Sequence, residues 1–508
     1  MKVKIKAIIC FSILSAAAAQ INAQQLYSAN PFFKSIFESR KNINSYYTGD
    51  NPAYLNYENG DQLLSLKSVY NNSDGKFKKF IDPSTTELYQ VSASGKKNID
   101  SFQVFKGSFG FQRIERKDWN WLASKYYEDF NPFLFGDSTT GTTHYNGIVM
   151  NAQYSALIYE KFLLGFMFNY SVDQGLKEVF PRPTTDHRDI DLKLGAGYLL
   201  SNSLSLGASV KIYDYNEKIL YQEDESDVSR EVFLLKFKGF DFPFVNKKKT
   251  ETRYNYKNGF FSYGNISYLK DDYALAAYFG GGLEQSTIKE DAVNPVTQGY
   301  WKNQVYEGAI RSGLMLTEGL YLGLNYDYRE DNMWAKHPST SVLMMENYMP
   351  KHSLYSGLEY AVSNYLSLGL EGGFELNKID YNDYYSTIFW NVKGNTISAS
   401  AGCDILWSTR ISSSFAYGIS KFSVKSSNLT QILQSQYYLN YRQNDVMFYM
   451  TDFMKHSLNT VFSIQPAKWG VINIYISYST MLAEENPLFN KLHRNDFNSS
   501  VELKIRAY

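Results

Sequence analysis

The chain has 508 residues, with 51 basic residues against 51 acidic ones, 17% aromatic residues including 43 Tyr, and only 12 Pro. Balanced charge offers no electrostatic footprint for nucleic acid, and two cysteines make no disulfide framework. Beyond the first two dozen positions no run of about 18 apolar residues occurs, so a transmembrane helix is not expected. A mildly polar, aromatic-rich chain instead suits a barrel that turns alternate residues to lipid and lines both membrane interfaces with aromatic rings.

Residues 1–23 read as a secretory signal peptide: Lys2, Lys4 and Lys6 precede an apolar run from Ala7 to Ala19, and Ala23 is a small residue at the cut. Their removal takes three lysines and no acids from a balanced chain, leaving a formal charge of −3 and Cys403 as the single thiol. Residues 24–60 form a leader too short for the plug domain of a TonB-dependent receptor. Within it, Asn30-Pro31 is suited to start a helix whose face would carry Phe32, Phe33, Ile36 and Phe37. That face would pack in the barrel mouth or lie against the inner membrane interface.

From residue 61 to 508 the sequence alternates. Ile190, Leu192, Leu194, Ala196 and Tyr198 share one face and Asp189, Asp191, Lys193, Gly195 and Gly197 the other; after a Ser201-Asn202 turn, Leu204, Leu206, Ala208, Val210 and Ile212 oppose Ser205, Gly207, Ser209 and Lys211. This is the period-2 signature of a half-buried antiparallel hairpin. It recurs from Leu320 to Tyr328, from Leu354 to Leu376 and from Ile472 to Tyr478, and Val501 to Tyr508 looks like a closing strand. Short turns are expected near 95–100, 160–161, 201–202, 269–272, 317–319, 363–365, 407–409 and 466–470. Long connections are expected at 72–86, 114–143, 173–187, 216–258, 284–304, 330–351, 377–395, 420–456 and 480–496.

Strict alternation of tight and long connections predicts an all-β chain: a transmembrane antiparallel up-and-down β-barrel of about 18 strands, 16 as the alternative, with both termini periplasmic. The apolar faces then meet outer-membrane lipid, since a closed barrel satisfies the backbone groups that hydrocarbon leaves unpaired.

Lumen-facing positions by this phase are Asp189, Asp191, Lys193, Lys211, Glu307, Arg311, Asp327, Arg329, Glu359, Glu371 and Glu375. Their mixed signs argue against a filter built from one charge ring. Glu359 and Glu371 fall near a register that would pair two carboxylates, although a salt-bridged or water-filled interior accounts for the same residues. His144, His187, His337, His352, His456 and His493 all fall in expected loops or at the tops of descending strands. A ring of imidazoles there would suit a metal or haem, but no two share a close ligand spacing, so no metal and no cofactor is expected. Gly136–His144, "GDSTTGTTH", puts a Ser and a His in one expected loop without the strand-to-helix elbow of a hydrolase. Leu234 to Lys249 would fold inward, dock a partner or extend above the membrane.

Asn51-Pro52-Ala53, within "GDNPAYLNY", resembles the Asn-Pro-Ala near the N-terminus of FadL-type hydrophobic-compound channels and of PorP-type barrels. The FadL resemblance implies a small N-terminal hatch inside the lumen with these three residues at its turn; an ordinary Asn-Pro turn is the alternative, since Asn precedes five of the twelve prolines. Over nearly its full mature length the chain also resembles a family of uncharacterised outer-membrane β-barrels from Bacteroidota. The resemblance rests on "NPFFKSIFESRKNINSYYTGD", "FPRPTTDHRDIDLKLGAGYLLSNSLSLGASV" and Gly-Leu-Xaa-Tyr strands such as Gly323 to Tyr326 and Gly357 to Tyr360. It implies fold and location without a substrate. The expected protein is a non-enzymatic outer-membrane barrel that passes a solute or assists an uptake system. Lipid and the barrel-assembly machinery are its expected partners, and an envelope protein is a further candidate. The alternatives are a closed structural or assembly subunit and a hydrolase among the extracellular loops.

Overall fold

A computed structural model describes residues 32–35, 51–57, 63–125, 127–222, 233–239, 243–246, 250–270, 272–291, 293–431, 441–467, 469–484 and 486–506. The expected signal peptide, Asn30-Pro31, Ile36, Phe37 and Tyr508 lie outside them.

The alternating segments form one sheet. Its strands are β1 (Leu63–Gly75), β2 (Thr85–Asn98), β3 (Gln103–Leu122), β4 (Phe135–Ile158), β5 (Phe162–Lys177), β6 (Thr184–Leu199), β7 (Leu204–Tyr221), β8 (Leu234–Lys236), β9 (Phe244–Asn246) and β10 (Glu251–Lys270). They continue with β11 (Tyr273–Glu290), β12 (Val296–Thr317), β13 (Leu320–Lys336), β14 (Leu343–Ser363), β15 (Leu366–Asp383), β16 (Ile388–Ser408), β17 (Ile411–Gln431), β18 (Phe453–Ala467), β19 (Gly470–Ala483) and β20 (His493–Arg506). β8 and β9 are a short hairpin set against the top of β4. The other 18 strands are a closed antiparallel barrel, with β7 pairing directly with β10. Closure runs through β1 and β20, from Leu63 opposite Arg506 to Gly75 opposite Arg494. Among the described residues every one of these 18 strands pairs with a neighbour on both sides, so the barrel has no open seam, the condition hydrocarbon imposes.

Turn chemistry places one end of the barrel. Between β6 and β7 the Ser201 hydroxyl accepts the amides of Ser203 and Leu204 at 3.2 and 3.1 Å, a local turn device of serine. Between β12 and β13 Gly319 takes φ +92°, a conformation open to glycine. The start of β1 and the end of β20 both lie at this short-turn end.

Sidedness follows the sequence phase. Leu370 is 63% and Leu194 50% exposed on the outer wall, whereas Ser205 and Asn325 inside are 0% exposed. Each such leucine would be about 1.5–3 kcal/mol better off out of water, so an exposed band of them marks a surface solvated by hydrocarbon.

The strands run farther from the short-turn end than expected. Residues 135–143, 284–290, 330–336 and 377–383, expected in long connections, are strand. In β15 the reason is an inversion of phase. Leu366, Leu368, Leu370, Phe374 and Leu376 face outward, but beyond them Lys378, Asp380 and Asn382 take the outer positions while Ile379 and Tyr381 are buried inside. Outside the membrane the polar face turns to water and the apolar face to the interior, which disguises one strand as a strand plus a loop. The main apolar core therefore sits inside the upper mouth, where Phe133, Trp301, Met345, Tyr381, Trp390 and Val446 pack together.

Candidate functional site

Two stretches of the leader, residues 32–35 and 51–57, sit in the lower lumen. Pro52–Tyr57 is a 3-10 helix whose first four residues are buried. Asn51, wholly buried, donates from Nδ2 to Ala196 O at 3.0 Å, Ala208 O at 3.1 Å and Asn265 Oδ1 at 3.2 Å, and its Oδ1 accepts the Ala53 amide at 3.0 Å. Ser155 Oγ donates to Ala53 O at 2.5 Å. The wall is cleared for this turn by glycine. A Cβ on Gly195 would lie 2.0 Å from Asn51 Oδ1, and one on Gly165 2.5 Å from the Ala53 nitrogen. Here backbone approaches backbone, a use only glycine serves.

A second stretch of the leader docks on the far side of the ring. Phe33 is buried against Tyr321 and Ala416, and its ring would be 2.2 Å from a Cβ on Gly369. Ser35 donates its amide and its hydroxyl to Glu371 Oε2 at 2.6 and 2.5 Å. Lys34 Nζ lies 2.9 Å from Asp327 Oδ2 and 4.5 Å from the centroid of the Tyr355 ring. Both docking points are near the short-turn ends of their strands.

The upper lumen is crossed by residues 123–125 and 127–134, between β3 and β4. On one wall the Lys125 amide donates to Glu217 Oε1 at 2.6 Å, Ser124 Oγ also donates to Glu217, and Lys125 Nζ is paired with Asp173, both side chains fully buried. Arg253 donates to Phe133 O at 2.8 Å and lies 3.2 Å from Glu290. Toward the other wall Phe130 packs on Tyr381, Trp390 and Tyr449, with ring centroids 5.5 to 6.1 Å apart. Tyr449 ends the short helix α1 (Gln443–Tyr449), whose Asp445 Oδ1 accepts the Phe80 amide at 2.7 Å. Between this segment and the walls of β6, β7, β10 and β11 lies a cavity of about 350 Å³, lined among others by His187, Asp189, Glu217, Lys257 and Phe133.

The lumen charges named from the sequence fall into separate groups on the inner wall. Asp189 lines the cavity, Asp191 accepts the Tyr215 hydroxyl at 2.8 Å and has Lys211 at 3.8 Å, and Lys193 lies directly opposite Lys211. Arg311 bonds Asp327 at 3.0 Å, Arg329 joins Asp331 at 2.7 Å and Glu307 at 3.5 Å, and Glu375 pairs with Lys351 at 3.1 Å. Glu359 is opposite Gly369 and Glu371 opposite Gly357, so the two carboxylates are diagonal neighbours, and Glu371 is bound to Ser35. Among the described residues no cluster of three His, Cys, Asp or Glu suits a metal ion.

Two expectations need correction. Gly136–His144, expected in a loop, is part of β4, because Gly136 and Asp137 pair with β8 and Thr140 and Gly141 with β3. The histidines, expected in loops or at strand tops, include His144 and His352 well inside β4 and β14; His187 is buried inside, while Tyr326 with His352 and Tyr417 with His456 are outward pairs at 2.9 and 2.7 Å. Sequence reasoning missed Asn265, Glu217, Lys125 and Phe130. Asn265 alone carried a signal, a polar residue on the inner phase of β10 opposite Gly207.

Fold and site together define a transmembrane β-barrel of the outer-membrane type with an N-terminal segment seated in its lumen. The model of the Family of unknown function (DUF6850) matches residues 52–505, and the chain belongs to that family. None of the curated proteins compared with it matches. Among solved structures it is similar to the siderophore receptor PiuA from Acinetobacter baumannii (6% identity, 87% of this chain and 82% of that one, TM-score 0.41). It is also similar to a Pseudomonas aeruginosa FadL homologue (11%, 91% and 93%, TM-score 0.33) and to the copper transporter OprC (8%, 88% and 81%, TM-score 0.38). Likeness this distant transfers no ligand.

Proposed function

We propose that the chain, exported and freed of residues 1–23, is a non-enzymatic outer-membrane barrel that passes a small solute, with the leader 24–60 as its hatch. The short-turn end then faces the periplasm, the outer wall meets lipid, and the barrel-assembly machinery inserts residues 61–508. One observation carries this reading: glycines of β5, β6 and β7 bare the lumen wall where Asn51 to Ala53 sit. A barrel with a purely structural lumen would fill that space from its own strands, as side chains fill small barrels. The seat is held by hydrogen bonds, each worth roughly 0.5–1.5 kcal/mol net, and by the buried side chains of Ala53 and Tyr54, which pack on Leu163 of the wall.

The occupied lumen also favours a second reading, a closed structural subunit of an envelope assembly. Planar-bilayer recording separates the two. A chain lacking residues 24–57 is expected to conduct where the intact chain does not. A correctly folded, leader-less barrel that insulates as well as the intact one would overturn solute passage in favour of the structural subunit.

A further inference from the structure

The cavity beneath residues 123–134 is graded along the barrel axis. Its upper part is lined by Leu122, Phe133, Phe135, Ile219 and Ile288, its lower part by His187, Asp189, Tyr215, Asn255 and Lys257. Its volume of about 350 Å³ is at the low end of the range for small-molecule sites.

The charges in this lining are not equally committed. Lys257 is shared between Glu128 at 2.5 Å and Glu284 at 3.0 Å, and Arg253 between Glu290 and the Phe133 carbonyl. Glu217 accepts from Ser124, the Lys125 amide and Asn255, and Lys125 answers Asp173. Asp189 differs. Its Oδ2 accepts from Ser171 Oγ at 3.0 Å, while Oδ1, 3.1 Å from His187 Nε2, accepts no hydrogen bond, and among the described residues no Lys or Arg nitrogen lies within 4.0 Å of this carboxylate. An imidazole is ordinarily neutral above pH 7, so Asp189 brings a negative charge to the wall of a largely apolar chamber, where Lys125, the fixed cation that acts on it, is itself paired with Asp173. An enclosed charge of this kind is strongly favoured by a partner of opposite sign.

We infer that the chamber takes a small organic cation, an apolar body carrying one ammonium group, with the ammonium at Asp189 and the body against Phe133, Ile219 and Ile288. This rests on the barrel being a solute pathway and names the class of its solute. An ammonium supplies three donors and the missing charge, whereas a carboxylate of the same size would meet Asp189 and Glu217 as like charges.

The test is calorimetric titration of the folded mature chain in detergent at pH 7.5 with 2-phenylethylamine, 2-phenylethanol and phenylacetate, three probes of nearly one shape. The amine is expected to bind at least about tenfold more tightly than the alcohol, as a charge-assisted contact should, and phenylacetate more weakly than either. Asp189→Asn is expected to remove the advantage of the amine over the alcohol. If that variant fails to assemble, Ile288→Phe, which shortens the apolar end, is expected to weaken amine binding about tenfold. Absence of amine binding, equal binding of alcohol or acetate, or indifference to both substitutions overturns the inference. Amine preference in a chain whose leader-less form stays insulating would leave the chamber as a binding site and end the transport reading. Conduction without amine preference would do the reverse.

Discussion

Asn51 is the residue on which the lower lumen turns. Its carboxamide reaches two main-chain carbonyls and one side chain of the wall, and closes its own turn through the Ala53 amide. Asn51→Ala leaves those acceptors without their donor, a loss of about 1–3 kcal/mol for buried groups. The Ala53 amide should then exchange with deuterium roughly tenfold faster or more, with the barrel strands unchanged. Gly195→Val approaches the same seat from the wall: its Cβ would stand 2.0 Å from Asn51 Oδ1, so the turn must leave. That variant should match Asn51→Ala in exchange and exceed it in conductance; protection of Ala53 equal to that of the unaltered chain would show that the wall yields instead.

Elements that lie above the membrane are held by a different chemistry, and one of them titrates. Asp445 of α1 is fully enclosed, and burial pushes its carboxyl up to about 6, opposed by Arg442, Lys79 and the Phe80 amide, with Asp82 adding to the rise. A raised acid holds its proton longer in the folded chain than in the unfolded one. Its contribution is therefore fully present below the unfolded value near 4 and is lost as pH climbs through about 6. Amides of α1 and Phe80 should be better protected at pH 4.5 than at pH 7.5 once intrinsic exchange is corrected, and Asp445→Asn should flatten that difference. A second element test concerns Lys177, fully buried and 2.9 Å from an equally buried Asp137. Lys177→Met strands a carboxylate, at a cost of about 3–5 kcal/mol, and should loosen the tops of β4 and β5 in exchange measurements; Asp137→Asn added to it should restore most of the protection.

These tops were the least legible part of the chain. Where lipid sets the pattern, as in Leu192, Leu194 and Leu206, alternation gave strand, face and turn directly, down to Ser201-Asn202. Above the membrane the solvent changes and the pattern inverts, so Ile379 and Tyr381 read as loop although they face inward on the same strand. The glycines at 195 and 207 marked an empty space in the lumen, and Asn51-Pro52-Ala53 marked a turn, but alternation describes neighbours within a sheet and cannot join a turn to a wall 145 residues away. The inward fold of 123–134 was hidden for the same reason: Lys125 and Glu217 meet only through tertiary contact.

At the scale of the whole molecule the lumen carries two obstructions, the leader near the short turns and residues 123–134 near the long connections, with the cavity at the upper one. Obstructions along one path act as resistances in series, and the total is governed by the larger. With the leader as the larger, its removal alone opens a current that the upper segment still limits, while removing the upper segment alone changes the current little; removing both exposes the width of an 18-stranded barrel, of the class that leaves an aqueous channel when unplugged. Deleting residues 24–57 and replacing 124–133 by a short Gly-Ser linker should therefore raise single-channel conductance by more than the sum of the two separate changes. The linker variant should also lose amine binding, since Phe133 and Glu128 go with it, while the leader deletion keeps it. If the two increments simply add, the leader and residues 123–134 do not obstruct one path, and a solute would have to pass the upper lumen without entering the cavity.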